Sequence, residues 1–404
     1  MIHFFRYYTR VLKWTLKSKY KWMILLYLLW VYRISFIQED GCGLGKIIQI
    51  VTLFGMLFFM IKFSGKTSVV GLAYSKTNAA VKTCLLLYTY SVFSTIWAYL
   101  PQYAFFLAFQ NLVLICLFVW LFRQFKTFES IEKAFLLISI TTIIFEFCAF
   151  RIVGETTLFV HFLGNGSSAA LLISYTIGEI FASKRMTNER KRLLKAVLYI
   201  SIFVLVTSTS SGANASAIFG FIIACLFSGK IIWALLLSVP ALVLYLNPDW
   251  VERLIYFIMP GKTKETIESA TGRELIWGYI RELITERPYF GWGFGCVERI
   301  ASDRSGIAAP DAHNNFLGLR GSLGLVGLCI AIVNFISIYL VSFKHKMKPG
   351  YVGIISAISC GLLNGYSYGF LAGKACSITV IFLALIVLTY SYSCEIWKKQ
   401  LVRS

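Results

Sequence analysis

Long apolar runs separated by short polar or basic stretches dominate this chain. A helix needs about 20 apolar residues to cross hydrocarbon. Runs of that kind lie near 22–38, 47–63, 80–99, 103–122, 132–150, 167–183, 193–209, 214–228, 231–247, 317–342, 351–371 and 375–394. The first follows a basic arm and lacks a small-residue cleavage site, so it reads as a retained helix rather than a signal peptide. Between the ninth and tenth runs, residues 248–312 form one long polar interruption. The pattern predicts an all-α polytopic membrane protein of about twelve transmembrane helices, with one large extracytoplasmic loop carrying short amphipathic helices. It divides into a membrane bundle of about nine spans over 1–247, the loop at 248–312, and a bundle of about three spans over 313–404.

Inside the loop, residues 272–287 (GRELIWGYIRELITER) have helical spacing, with Leu275, Ile276, Tyr279, Ile280 and Leu283 on one face and Glu and Arg opposite. Pro288 ends the segment. Such a helix either lies on the membrane surface and roofs the bundle or packs on the loop's own core.

Composition narrows the class. The chain is 58% hydrophobic and 14% charged, against roughly 45–50% and about 25% in soluble domains. That excludes a soluble enzyme, a secreted disulfide scaffold and a disordered tail. The ten cysteines lie mostly within apolar runs and form no CxxC pair, so neither zinc nor redox chemistry is indicated. The net charge of +20 is explained by position. The N-terminal arm (Arg6, Arg10, Lys13, Lys17, Lys19, Lys21), every second loop after it and the C-terminal tail are basic, while the intervening loops hold few cations. By the positive-inside rule both termini are cytoplasmic, and no nucleic-acid partner is needed. The 248–312 loop holds ten of the 19 acids and faces outward. Connections of this length are often functional.

The candidate chemistry is concentrated there. His313 sits in Asp-Ala-His-Asn-Asn-Phe-Leu just before the tenth run. Its imidazole is either a hydrogen-bonding residue or a base able to take a hydroxyl proton near neutral pH. Gly318, Gly321, Gly324 and Gly327 follow at three-residue intervals, a spacing that lets helices approach closely in lipid. Arg273 in Thr-Gly-Arg-Glu-Leu-Ile-Trp, with Arg281 two turns later, offers planar forks for phosphate oxygens or pairs with a surface acid. Pro288-Tyr-Phe-Gly-Trp-Gly-Phe-Gly supplies glycines for tight turns, but it has neither the preceding strand nor the Lys-Ser/Thr of a P-loop.

In sequence, Gly-Arg-x-x-x-Trp, Pro-x-Phe-Gly-Trp-Gly-x-Gly, Ala-His-Asn-x-x-Leu and Gly-x-x-Gly over residues 271–327 resemble the O-antigen polymerase/ligase superfamily. These are bacterial membrane glycosyltransferases of surface-polysaccharide assembly. The layout, with one large outer loop before the last three spans, is similar across the whole length.

The resemblance implies transfer of a glycan from undecaprenyl pyrophosphate to a sugar hydroxyl on the outer face of the cytoplasmic membrane, without metal or cofactor. The acceptor is another lipid-linked repeat in a polymerase and lipid A-core in a ligase. Carried over, His313 is the base or positioning group for the acceptor, Arg273 contacts the pyrophosphate, Asn314 orients, and Arg281 is a weaker donor contact. A Ser-Arg pair that members often show is missing here. The equivalent stretch reads Thr207-Ser-Thr-Ser-Ser-Gly-Ala-Asn214-Ala-Ser, leaving Asn214 or the hydroxyls as weaker donors. The stretch His161-Phe-Leu-Gly-Asn-Gly-Ser resembles the family's Gly-x-Phe-x-Asn-Pro-Asn region without its proline, which implies that His161 and Arg151 line the same cleft. Taken alone, His161 is equally an interfacial residue with a water partner.

A lipid-linked oligosaccharide flippase is the competing reading. Transporters place ionisable residues at mid-membrane and show internal repeats. Here Glu146 and Glu179 lie near span ends and no half is duplicated. A scaffold for other assembly proteins has no feature in its favour. The expected partners are the lipid-linked donor, a glycan or lipid A-core acceptor, the bilayer, and a chain-length regulator and flippase. Between the two enzymes the expectation is the polymerase, because the missing Ser-Arg pair marks a divergent member.

Overall fold

The computed structural model describes residues 21–32, 44–64, 77–125, 127–153, 162–183, 186–208, 210–236, 273–306, 312–346, 348–373 and 375–392. Among them every regular element is helical. In chain order the α-helices are α1 (Lys21–Tyr32), α2 (Leu44–Ser64), α3 (Ala79–Phe93), α4 (Pro101–Phe122), α5 (Phe128–Val153), α6 (Phe162–Ala182), α7 (Asn188–Thr207), α8 (Ser211–Phe227), α9 (Arg273–Glu286), α10 (Val297–Ser305), α11 (Asn315–Lys344), α12 (Tyr351–Asn364) and α13 (Ser377–Leu388). The basic arm up to Lys19, residues 237–272, the C-terminal tail from residue 393 and His161 lie outside the described residues.

Among the described residues three stretches, Ala79–Trp97, Pro101–Phe122 and Asn315–Lys344, are long and apolar enough to cross a membrane, and Ile47–Phe63, Ser211–Phe227, Tyr351–Asn364 and Ser377–Ser391 are shorter apolar helices. The bundle is organised around α13, every residue of which is buried. A helix apolar on all sides belongs at the centre. Beside it, α6, α8 and α12 pack through small residues. A Cβ on Gly178 would stand 2.8 Å from the Gly353 Cα, and one on Gly353 would stand 2.8 Å from the Tyr175 carbonyl oxygen. Close backbone approach is the main source of helix association where lipid removes the hydrophobic drive.

One end of the bundle is closed by ions. Arg190 at the start of α7 reaches Glu132 on α5 through Nε and Nη2, and Glu179 on α6 through Nη2. Tyr175 donates to Glu132 at 2.7 Å. Glu179 accepts from Gly350 N at 2.9 Å and Gly353 N at 3.0 Å, so it also serves the N-terminus of α12. Both acids and Arg190 are buried.

The opposite end carries α9 and α10 and is called the cap end below. Here α11 is not one helix. Gly324 has φ 68° and ψ −165°, which breaks it into a segment at 315–323 and a segment at 325–344. The second is a full span by itself, about 30 Å at 1.5 Å per residue. Its Leu325, Ile332, Val333, Ile336 and Leu340 are exposed, as lipid-facing residues are. The first segment carries the exposed Arg320. The run predicted as a span over 317–342 is therefore two elements.

Candidate active site

The cap is built by the 288–295 turn, which plugs into the break in α11. A broken helix leaves carbonyls and N–H groups unmatched, up to four of each, and in lipid each must find a partner. The turn pairs two carbonyls and two N–H groups. Trp292 N donates to Gly321 O at 3.0 Å and Gly293 N to Ser322 O at 2.8 Å. In return Leu325 N donates to Pro288 O at 2.9 Å and Val326 N to Tyr289 O at 3.2 Å. Gly291, Gly293 and Gly295 all have positive φ. A Cβ on Gly291 would stand 2.6 Å from the Gly324 N, and one on Gly295 would stand 2.7 Å from the Leu107 side chain. The glycine spacing of α11 thus reflects this splice as well as packing. Gly321 gives room to Val297 of α10, and Gly318 to Glu298 and Ala312. The turn is also tied to the α3–α4 connection, where Tyr99 N donates to Trp292 O at 2.9 Å and Trp97 Nε1 to Phe290 O at 3.0 Å.

Helix α9 buries Ile280, Leu283 and Ile284 against Val297, Ile300, Ala301 and Ala312. It packs on the loop's own core. Leu275, expected on the apolar face, is 63% exposed, and Ile284 takes its place. Around Trp292, the Arg287 guanidinium stacks at 4.0 Å from the ring centroid and that of Arg304 at 5.7 Å. Arg304 also pairs with Glu286. Burial pushes the Cys296 thiol up to about 11, so it is protonated and unreactive at neutral pH.

Arg273 and Trp277, one turn apart on α9, reach across to the rest of the site. Arg273 Nη1 donates to Ser367 O at 2.8 Å, and Trp277 Nε1 donates to Ala312 O at 2.9 Å. The Trp277 ring meets that of Tyr366 edge to face at 6.1 Å. Ala312 immediately precedes His313, whose backbone is left-handed at φ 48°. The 365–376 connection therefore binds Arg273 directly, while His313 is tied to it through its neighbours, by way of Trp277 on Ala312 and through Asn315. Asn315 N donates to Gly365 O at 2.7 Å, and Asn315 Oδ1 accepts from Phe370 N at 2.7 Å and Leu371 N at 2.9 Å.

Four helix N-termini reach this connection. That of α11 does so through Asn315, and that of α8 through Gly212, where a Cβ would meet Ser367. Those of α6 and α13 are joined by Ser168 and Ser377 at 2.7 Å. A Cβ on Gly164 at the start of α6 would stand 3.1 Å from the Tyr368 hydroxyl and 3.3 Å from Glu146 Oε1. Helix N-termini carry partial positive charge, and together with Arg273 they favour an anion at the cap end.

The other candidates are placed unevenly. Asn314 caps α11, its Oδ1 accepting from Phe316 N at 2.9 Å and Leu317 N at 3.0 Å. Its carbonyl is thereby used within the fold, and its amide is what remains for a substrate. Arg281 is exposed, one turn beyond Trp277 on the same side of α9, and makes no bond to the 365–376 connection like that of Arg273. Asn214 is half-buried in the first turns of α8, close in sequence to Gly212. Arg151 stands near the end of α5. The roles of Trp277, Asn315, Tyr366 and Ser367 went unread in the sequence. The 365–376 stretch is apolar enough to merge with the flanking runs, and a lone Tyr-Ser pair there carries no periodic signal. Among the described residues no three His, Cys, Asp or Glu side chains converge as metal ligands.

Residues 196–332 match the family model described as O-antigen ligase. The match takes in α9, the glycine turn, His313 and the break in α11, and it supports the resemblance to the O-antigen polymerase/ligase superfamily. No curated protein matches the chain.

Proposed function

We propose, from a membrane chain whose residues 196–332 match an O-antigen ligase model, that this protein is a glycosyltransferase that polymerises undecaprenyl-pyrophosphate-linked oligosaccharide repeats on the outer face of the cytoplasmic membrane. The product is an O-antigen, capsular or exopolysaccharide. The observation that carries the reading is the pair of bonds from one face of α9. Arg273 holds Ser367 of the 365–376 connection, and Trp277, whose ring meets Tyr366 of that connection, holds Ala312 next to His313.

In the proposed step the acceptor hydroxyl oxygen forms a bond to the donor's anomeric carbon as the bond from that carbon to the pyrophosphate oxygen breaks. His313 takes the hydroxyl proton. The pyrophosphate leaves with the electron pair, and Arg273, backed by the α6, α8, α11 and α13 N-termini, stabilises its added charge. Positioned cations are strongest near a low-dielectric boundary, and the donor's lipid tail requires a site beside the bilayer.

The description of the matched model favours a second reading, transfer of finished polymer to lipid A-core by the same chemistry. Both are tested by analysing surface glycan from cells carrying wild type, His313→Ala or Arg273→Ala at equal membrane levels. Loss of long-chain glycan in both variants is expected. Accumulation of single repeats on the acceptor lipid identifies a polymerase, and polymer left on undecaprenyl pyrophosphate identifies a ligase. Normal glycan in both variants would overturn the assignment and favour a flippase.

A further inference from the structure

Resting on the transfer reading above, we infer that Tyr366, backed by Trp277, is a stacking platform for a pyranose ring of the glycan handled at this site. Tyr366 is 60% exposed, and its edge-to-face contact with Trp277 leaves most of its ring uncovered. Exposure alone is common, but the backbone that carries this ring is fixed and Trp277 braces one side of the ring. Tyr366 N donates to Leu363 O at 3.1 Å, and the next residue is fixed twice, through Ser367 N to Asn364 O at 2.9 Å and through Arg273 to the Ser367 carbonyl. Trp277 is fixed by its indole bond to Ala312 O. A preorganised aromatic surface binds with little ordering cost.

Its position selects the ligand. Tyr366 adjoins Ser367, whose carbonyl Arg273 holds, and meets Trp277, which holds Ala312 next to His313; in the proposed reaction the pyrophosphate belongs with Arg273 and the acceptor hydroxyl with His313. The group that spans a pyrophosphate and an acceptor hydroxyl is a sugar. One face of a pyranose is a patch of C–H bonds, apolar and weakly positive, and it complements the negative face of an aromatic ring. Neighbouring hydroxyls would then be left for polar groups of the connection. An interfacial aromatic that only meets lipid headgroups would show the same exposure, so the test must separate the two.

The full chain in detergent micelles is titrated with the oligosaccharide repeat released from its lipid pyrophosphate by mild acid. Saturation is then transferred from the protein's aromatic protons to the sugar and read by NMR. Ring C–H protons of one residue of the repeat should receive saturation in wild type and in Tyr366→Phe, and should lose it in Tyr366→Ala. In membranes Tyr366→Ala should raise KM for the lipid-linked repeat about tenfold with kcat retained, the signature of lost binding that ground and transition states share. Absence of saturation in wild type overturns the inference. So does a Tyr366→Ala protein that matches wild type in saturation and KM, the result expected of a headgroup contact. If Arg273→Ala and His313→Ala cells keep normal polymer while Tyr366→Ala still abolishes the saturation, the platform stands and the transfer reading falls.

Discussion

The Gly324 backbone turns directly against the Tyr289 carbonyl, and the Cβ of any other residue at 324 would overlap that carbonyl. This contact joins the cap to the membrane bundle. Because φ 68° with ψ −165° is a conformation that essentially only glycine adopts, Gly324→Ala costs about 1–3 kcal/mol for backbone conformation alone, before the overlap is counted. The expected outcome is a marked fall in the melting temperature of the detergent-solubilised protein and loss of the four-bond splice. Gly278 on α9 is the control. A Cβ there meets nothing within 4 Å, so Gly278→Ala should stabilise by about 0.5–1 kcal/mol through helix propensity. A Gly324→Ala protein as stable as wild type would show that the splice contributes nothing.

Trp277 connects α9 to the peptide before His313. Trp277→Phe keeps a ring against Tyr366 but removes the indole N–H that serves Ala312 O. The lost bond costs about 1 kcal/mol of stability, and the proposed glycan transfer should fall by much more than that implies, because the His313 backbone loses its restraint. Glycan chain length and melting temperature, measured on the same variant, separate the two effects. Equal, small changes in both would reduce Trp277 to packing.

Parts of this arrangement were legible in the sequence. Most apolar runs within the described residues contain a helix, and the order of Arg273, the glycine turn and His313 falls within the region that the family model also covers. The break at Gly324 was not legible, since glycines at 318, 321, 324 and 327 share one spacing whether they pack helices or splice a turn. The 365–376 connection was hidden for a different reason. Tyr366, Phe370 and Leu371 continue the apolar run, and only the bonds from Asn315 and Arg273 show that the chain has left the helix. Asn314 is a helix cap by its bonds, a role that Asn before an apolar run also signals.

The exposed Glu286–Arg304 pair gives the cap a weak acid sensitivity. The hydrogen bond from Arg304 holds the Glu286 carboxyl below the usual carboxylate range. A folded value below the unfolded one means that the contribution is fully present above about pH 4.3 and is lost as pH falls through the folded value. Amide exchange in α10, corrected for its intrinsic pH dependence, should therefore rise modestly below that point. Glu286→Gln should remove the step. A step of equal size in the variant would assign it to other acids.

Arg190 stands in one of the alternate basic stretches that the positive-inside rule uses, yet its guanidinium is buried against two carboxylates. Removing one partner of a buried ion cluster leaves charge without compensation and costs about 3–5 kcal/mol. Arg190→Leu should therefore reduce the folded, membrane-inserted protein sharply. Orientation would be little altered, because Lys191, Arg192 and Lys195 remain beside it. The triple variant Arg190→Leu, Glu132→Gln, Glu179→Gln removes the unpaired charges as well and should recover much of the loss, since the amide oxygen left at position 179 can still accept from Gly350 N or Gly353 N. Thermal stability of the two proteins by size-exclusion chromatography decides the matter. A triple variant no better than the single would mean that the bidentate geometry, and not charge balance, holds α5, α6, α7 and α12 together at this end.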